Sequence, residues 1–269
     1  MPDNPRHTSL NAILADARAR VTRLRVSAAE LEKAAAAGPA VRPFPGDIGA
    51  TVGLVAEVKR RSPSQGAIRT DLDPVAHARA YLRGGAMAVS VLTEETHFGG
   101  SLEDLSRVAA AVSVPVLRKD FILDELQIME ARAAGASAVL LIARALSPEQ
   151  LRMLGKAART WGLATLIEVH AADELDAALA ARPSVLGVNA RDLSTFDLDL
   201  RGAEEIISRV PAGVTVVAES GVERRADVER LAAAGADLVL VGTSVARHGD
   251  PEDAVRALAG VKRQVRIRS

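Results

Sequence analysis

Charged side chains stand at the ends of several apolar runs in this sequence, and their types could do acid–base chemistry. The stretch Val52 to Gly66, VGLVAEVKRRSPSQG, starts apolar and β-branched and then carries Glu57 and Lys59 two residues apart. Positions i and i+2 of a strand share a face, so a carboxylate and an ammonium project together where the strand stops. Later runs end alike: VPVLRKDF in Lys119 and Asp120, LATLIEVH in Glu168 and His170, VLGVNARDL in Asn189, Arg191 and Asp192. TVVAESG ends in Glu219, Ser220 and Gly221, and LVLVGTSV in Gly242, Thr243 and Ser244. Charged groups are rarely buried without a partner or a ligand. A single ending of this kind is accounted for by a salt-bridged strand; several on one rim make a polar pocket. In such a pocket an ammonium can stabilise and protonate an oxygen that gains negative charge. A carboxylate near lysines stays ionised and can take a proton.

Something must bring these ends together. From Val52 onward the sequence alternates short apolar runs with helix-sized amphipathic segments. The runs are 54–58, 88–92, 114–117, 138–142, 164–169, 185–188, 214–218 and 238–241. The intervening helices are predicted over 74–83, 102–111, 125–134, 148–161, 173–181, 202–209, 224–233 and 253–261. Strict alternation implies a parallel sheet, and eight units predict closure as a (β/α)8 TIM barrel, whose strand C-termini all open on one face. GGAMAV, AGASAV and AGADLV repeat a small hinge before a run, with Gly85, Gly135 and Gly235 spaced by multiples of 50 residues. An open doubly wound sheet would call for a GxGxxG turn after the first strand, where SPSQG stands instead.

Ahead of the barrel, residues 10–26 read as an amphipathic helix and 27–37 as a second, capped by Ser27 with Glu30 three positions on. The Pro- and Gly-rich stretch 38–49 links them to the first strand. The N-terminal helical extension is thus residues 1–49, packed on a catalytic barrel over 50–269. It could cap the bottom of the barrel or lean over its mouth.

Bulk composition excludes several functions. With 34 basic and 34 acidic residues the formal charge is zero, and only six aromatic residues are present. Such a chain offers neither field nor stacking surface for nucleic acid, and no field for an anionic membrane. There is no cysteine, hence no disulfide, thiolate or Cys-based zinc site, and the five histidines lack HExxH spacing. No run of eighteen apolar residues and no signal-like N-terminus is seen, so a cytoplasmic protein is expected. Gly221 and Gly242, with a short helix beginning near Ser244, form an expected phosphate seat after strands seven and eight; the glycines could equally serve tight turns alone.

In this order and at these intervals, AEVKRRSPSQG, SVLTEETHFGGS, VLRKDFI, LIEVH, GVNARDL, AESGV and VGTSV resemble the indole-3-glycerol phosphate synthase family, from Val52 to Val245. The leading helical extension also fits. The resemblance implies a carbon–carbon (carboxy-) lyase of tryptophan biosynthesis, acting on a small phosphorylated substrate without metal or cofactor. It would close the indole pyrrole ring of 1-(2-carboxyphenylamino)-1-deoxyribulose 5-phosphate with loss of carbon dioxide and water. By similarity Lys119 would be the general acid at the ribulose carbonyl, and Glu168 the base for later proton transfers. Glu57 and Lys59 fall on catalytic and phosphate-contact positions, and Asn189, Glu219 and Ser220 on substrate-orienting ones. Phe98 and Phe121 match the wall around the aromatic ring, with Arg191 on the sixth loop; Ser62, Gly221, Gly242, Thr243 and Ser244 complete the binding set. No nucleic-acid or membrane partner is expected, and the chain is taken as a monomer or weak homo-oligomer.

Three positions depart from the family pattern: Gln65 replaces a common Lys, His97 an aromatic, and Ala190 a common Asn. They are read as neutral surface variation. His77 and His170 are read as structural, and Arg263, Arg266 and Arg268 as a solvated tail. Two competing barrel enzymes fit less well. Phosphoribosylanthranilate isomerase would call for a Cys–Asp pair, and the tryptophan synthase α subunit has no place for Lys119. A non-catalytic phosphate-binding paralogue is the competitor from another class, and joint retention of Glu57, Lys59, Lys119 and Glu168 speaks against it.

Overall fold

The computed structural model describes residues 10–193, 195–264 and 266. Eight strands form the closed barrel: β1 (Gly53–Val58), β2 (Ala88–Leu92), β3 (Val116–Lys119), β4 (Ala138–Ile142), β5 (Ala164–Val169), β6 (Val185–Asn189), β7 (Val216–Glu219) and β8 (Leu238–Val241). Each pairs in parallel with the next, and β8 closes on β1 with Ala56 opposite Val241. Helices fill the crossovers that parallel pairing demands. They are α3 (Pro74–Arg83), α4 (Leu102–Ala111), α5 (Glu125–Ala133), α6 (Pro148–Thr160), α7 (Leu175–Ala180), α8 (Leu200–Arg209) and α9 (Arg225–Ala234); α10 (Thr243–Arg247) and α11 (Pro251–Leu258) follow β8, and α1 (Leu10–Leu24) and α2 (Ala28–Ala36) precede the barrel.

Local chemistry fixes where the crossovers start. Asp73, Ser101, Asp124, Ser147, Asp199 and Asp250 each accept a backbone N–H in the first turn of the helix that follows. Such caps satisfy donors that a helix leaves open, and an alanine there costs about 1 kcal/mol. At the opposite face Gly85, Gly135 and Gly235 have φ of 104°, 86° and 104°. That left-handed backbone turns the chain from helix to strand and favours glycine.

Two apolar layers result. Residues such as Val89, Val91, Val139, Leu141, Ile167 and Val188 face the helices, while Val55, Leu117, Leu140, Leu166, Val217 and Leu240 fill the barrel. The extension serves both ends of this interior. Arg132 donates to the carbonyls of Gly38 and Pro39, and Arg42 to that of Ala109, so the linker passes the ends of α5 and α4, beneath the strands. Phe44 then joins the interior cluster, as do Ile13, Leu14 and Ala17 of α1. Meanwhile Asp16 and Arg20 of α1, and Arg25 just after it, pair with His97, Asp120 and Asp124 on the loops after β2 and β3.

Several expectations need correction. The capping box at Ser27 does not form: residues 25–27 make a 3-10 turn, and Ser27 Oγ donates back to Leu24 O. The third and seventh strands begin two residues later than their apolar runs and reach Lys119 and Glu219, because pairing with neighbouring strands sets their limits. The SPSQG loop contains a two-residue antiparallel hairpin, Arg61–Ser62 with Gly66–Ala67. The tail is not merely solvated. Arg263 and Arg266 lie 2.8 and 2.9 Å from the Asp237 carboxylate, which also accepts the N–H of Val216; Arg268 lies outside the described residues.

Candidate active site

Strand alternation carries the polar residues into the barrel mouth. Glu57 stands two positions beyond Val55, Lys119 beyond Leu117, Glu168 beyond Leu166 and Glu219 beyond Val217, so each follows an interior residue on the same face. Together with Lys59, Ser62, Phe98, Phe121, Asn189, Arg191, Ser220, Gly221, Gly242, Thr243 and Ser244 they line one cavity of about 400 Å³. Every residue assigned to the site from sequence is therefore brought to it.

At its floor the ammonium of Lys119 lies 3.3 Å from Glu219 Oε2, 3.4 Å from Glu168 Oε2 and 4.0 Å from Glu57 Oε2. Lys59 Nζ is 3.2 Å from the other oxygen of Glu57. The carboxylate side chains are at most 4 % exposed, Lys119 15 % and Lys59 17 %. At such burial Glu168 and Glu219, both set against the Lys119 ammonium, cannot both ionise freely. Burial works against the charge of Lys119, but Glu168, Glu219 and Glu57 outweigh it and hold the ammonium above its ordinary range. Burial also opposes ionisation of Glu168, yet Lys119 and His170 keep that carboxylate well below the usual range. Burial and the charge of Glu168 push Glu219 up to about 8, against the pull of Lys119. One carboxylate is thus held ionised beside another that keeps its proton near neutrality, a division that separates acceptor from donor.

Two glycines make room for this cluster. A Cβ on Gly187 would stand 2.4 Å from Glu219 Oε1 and 2.7 Å from Leu166 Cδ2. One on Gly242 would meet Glu57 Oε1 at 2.6 Å. Gly242 therefore clears space for an acid as well as introducing α10. On the same side, Ser220 and Gly221 both have positive φ, 68° and 75°. Ser244 Oγ donates to Val222 O at 2.9 Å, tying the last two loops together.

The opposite wall is apolar. Phe98 and Phe121 are tilted against each other with centroids 6.1 Å apart, and Leu193, Phe196 and Leu198 of the sixth loop face the cavity. Arg191 spans that loop, donating from Nη1 to Phe196 O at 2.8 Å, while its N–H donates to Asn189 Oδ1 at 3.0 Å. Sequence reasoning missed this loop wall and Arg247, which also line the cavity. Arg247 lies four residues after Thr243 on α10; that spacing could have flagged it.

Other strand-end charges serve the frame. The Asp120 carboxylate accepts from Thr93, Arg118, Arg20 and the N–H of Phe121. Asp192 accepts from Arg144 at 2.6 Å. Buried Arg118 was not singled out from sequence; it points away from the interior and also reaches Glu130 and Gln127 O. The departures from the family pattern are not all surface variation. His97 Nε2 lies 2.9 Å from Asp16 Oδ2 on α1, Ala190 is buried, and Gln65 is exposed at the cavity edge. His77 packs edge-on against Tyr81. Among the described residues no group of three or more His, Cys, Asp or Glu is arranged to hold a metal ion; the three acids close on an ammonium instead.

Comparison with known proteins gives the chain a family. Residues 10–258 match the family model described as indole-3-glycerol phosphate synthase. The protein of that name from Rhodopirellula baltica is 46 % identical over 255 residues, spanning 93 % of this chain and 98 % of the relative. That from Mycobacterium avium is 46 % identical over 258 residues, 93 % of each. Likeness to more distant solved structures concerns the fold alone. Thiamine phosphate pyrophosphorylase from Pyrococcus furiosus gives a TM-score of 0.58 at 17 % identity, over 78 % of this chain and 94 % of that one. 3-Hexulose-6-phosphate synthase from Salmonella typhimurium gives 0.60 at 14 %, over 77 % and 96 %. A match that runs from the first turn of α1 to the last turn of α11, through every strand that supplies the cavity, means that this chain belongs to the indole-3-glycerol phosphate synthase family.

Proposed function

We propose that the chain converts 1-(2-carboxyphenylamino)-1-deoxyribulose 5-phosphate to indole-3-glycerol phosphate, carbon dioxide and water, as a carboxy-lyase of tryptophan biosynthesis. The observation that carries this reading is the Lys119 ammonium held among Glu57, Glu168 and Glu219 beneath an aromatic wall. In this scheme the ring carbon bearing the carboxylate attacks the ribulose carbonyl, and Lys119 protonates the oxygen as charge builds there. Loss of carbon dioxide restores the aromatic ring. Glu168, ionised beside Lys119, takes the carbon-bound proton lost in the dehydration, and the hydroxyl leaves as water with a second proton from Lys119, recharged from solvent.

Glu219, with its proton, and Asn189 orient the substrate's hydroxyls. Lys59, Ser62 and the backbone of Ser220, Gly221, Gly242, Thr243 and Ser244 hold the phosphate, and Phe98 and Phe121 flank the anthranilate ring. The same reading takes the protein as cytoplasmic, free of metal and cofactor, and monomeric or weakly homo-oligomeric. The test is to mix purified protein with the ribulotide and follow the fluorescence of the indole product. Product should accumulate catalytically; binding of the ribulotide with no turnover would overturn the reading in favour of a binding protein.

A further inference from the structure

One buried titratable side chain has no part in that scheme. His170 follows Glu168 by two positions at the end of β5, and its side chain is 1 % exposed. It lies behind the carboxylate and off the cavity wall. Its Nε2 is 3.3 Å from Glu168 Oε1, and its Nδ1 3.8 Å from Glu174 Oε2. Both are ion-pair approaches and not aligned hydrogen bonds. Glu174 is itself fixed: Oε2 accepts the backbone N–H of His170 at 2.8 Å, and Oε1 accepts from Arg144 Nε at 2.9 Å. Arg144 Nη1 continues to Asp192 Oδ2 at 2.6 Å. Acid and base alternate along this chain from Glu168 to Asp192, across the loops after β5, β4 and β6.

Standing between two carboxylates favours one protonation state. A neutral imidazole has one N–H and one lone pair, so one carboxylate would face the lone pair; the imidazolium sets a positive ring against both. Glu168 and Glu174 are the charges that face the ring, with Lys119 beyond the first and Arg144 beyond the second. Burial opposes the charge, but the two carboxylates prevail and push the imidazole up to about 9. The oxygens of Glu168 are then divided between cations, Oε1 toward His170 and Oε2 toward Lys119.

We propose that His170 is a positioning residue for the reaction: as an imidazolium it holds one oxygen of Glu168, aims the other at Lys119, and couples that aim to the sixth loop through Glu174, Arg144 and Asp192. The role in turnover rests on the function proposed above; the state of the ring does not.

Two measurements test it separately. In the wild-type protein with 15N-labelled histidine, both His170 nitrogens should show imidazolium shifts at pH 8; the shifts of a neutral tautomer would overturn the proposal, whether or not the protein turns over. In kinetics, His170→Gln should lower kcat by about 10- to 100-fold, the scale of a misplaced reacting group, with KM changed by less than about twofold. The same substitution in a Glu168→Gln background should then have no further effect, because its target is gone. An equal loss in both backgrounds would overturn the positioning role and leave a structural one. Should His170→Gln fail to fold, the labelled wild type still decides the ring's charge. If the wild type binds the ribulotide without turnover, the proposed function fails and the spectroscopic result stands by itself.

Discussion

Arg20, on the helix ahead of the barrel, donates from Nη1 to Oδ2 of Asp120 at 2.8 Å, and Asp120 is the chain neighbour of Lys119. The same oxygen accepts from buried Arg118 and from Thr93, so one carboxylate gathers α1, β3 and the loop after β2. Arg20→Ala removes one of its two guanidinium partners and one from Glu130. We expect a loss of about 2 kcal/mol, the scale of a hydrogen bond to a charged group, measured by urea denaturation. Because the contact adjoins Lys119, kcat should fall more than substrate affinity. An unchanged denaturation midpoint would show that the extension is held by its apolar face alone.

Lys119→Met removes the ammonium on which three acids converge. If it is the proton donor, turnover should drop by about 10²- to 10⁴-fold, the range of general acid–base catalysis, while product still binds, since the phosphate seat is untouched. Fluorescence titration with indole-3-glycerol phosphate separates the two effects. Parallel losses in rate and affinity would make Lys119 a binding residue.

The acid pair gives a pH dependence whose sign can be stated. Glu219 is raised to about 8 in the folded protein, so between the ordinary carboxylate range and pH 8 the folded state holds a proton that the unfolded chain has released. Its stabilising contribution is full at low pH and is lost as pH rises toward 8. Glu168 is displaced the other way, so its contribution is lost as pH falls below the ordinary carboxylate range. Glu219→Gln should therefore flatten the decline in thermal stability between pH 5 and about 8, followed by calorimetry. Since the two carboxyls titrate as a pair, the alkaline limb of kcat near pH 8 should also move in this variant. A stability profile that still declines like the wild type would place the proton elsewhere.

Much of this site was legible because a strand's period of two is rigid. Once Val55, Leu117, Leu166 and Val217 are read as interior, the residues two positions on must face the mouth, and parallel closure gathers them from distant sequence positions. The alternation gave eight strands and the barrel, with residual errors at element ends, where pairing register decides. Long-range partnerships stayed hidden. Nothing near Arg118 or Asp120 announces that Arg20, 100 positions away, will share their network. Arg263 and Arg266 looked like tail residues because their partner, Asp237, is set by how the C-terminus folds beneath β8. For His170 the acid two positions earlier, Glu168, was in view, but Glu174 meets the ring only once the loop beyond β5 turns back. Gly187 and Gly242 are comparable: which side chain needs the space of a missing Cβ depends on a neighbouring strand.

That missing Cβ offers the most local test of the cluster. Gly187 has an ordinary negative φ, so alanine imposes no backbone strain, and the added methyl acts only through contact. It would stand 2.4 Å from Glu219 Oε1, well inside contact distance, and 3.4 Å from Glu168 Cα. Glu219 must move, and its approach of 3.3 Å to Lys119 must lengthen or turn. Overpacking of this kind costs about 1–3 kcal/mol, which a barrel of this size should survive folded. We therefore expect Gly187→Ala to keep its circular dichroism and lose a large part of kcat, with its alkaline limb displaced as in Glu219→Gln. Gly49→Ala is the control, since a Cβ there meets nothing within 4 Å, and its rate should match the wild type. If Gly187→Ala matched it too, the position of the Glu219 carboxylate would not matter to the chemistry, and the pairing of an ionised with a protonated acid would lose its role in the mechanism.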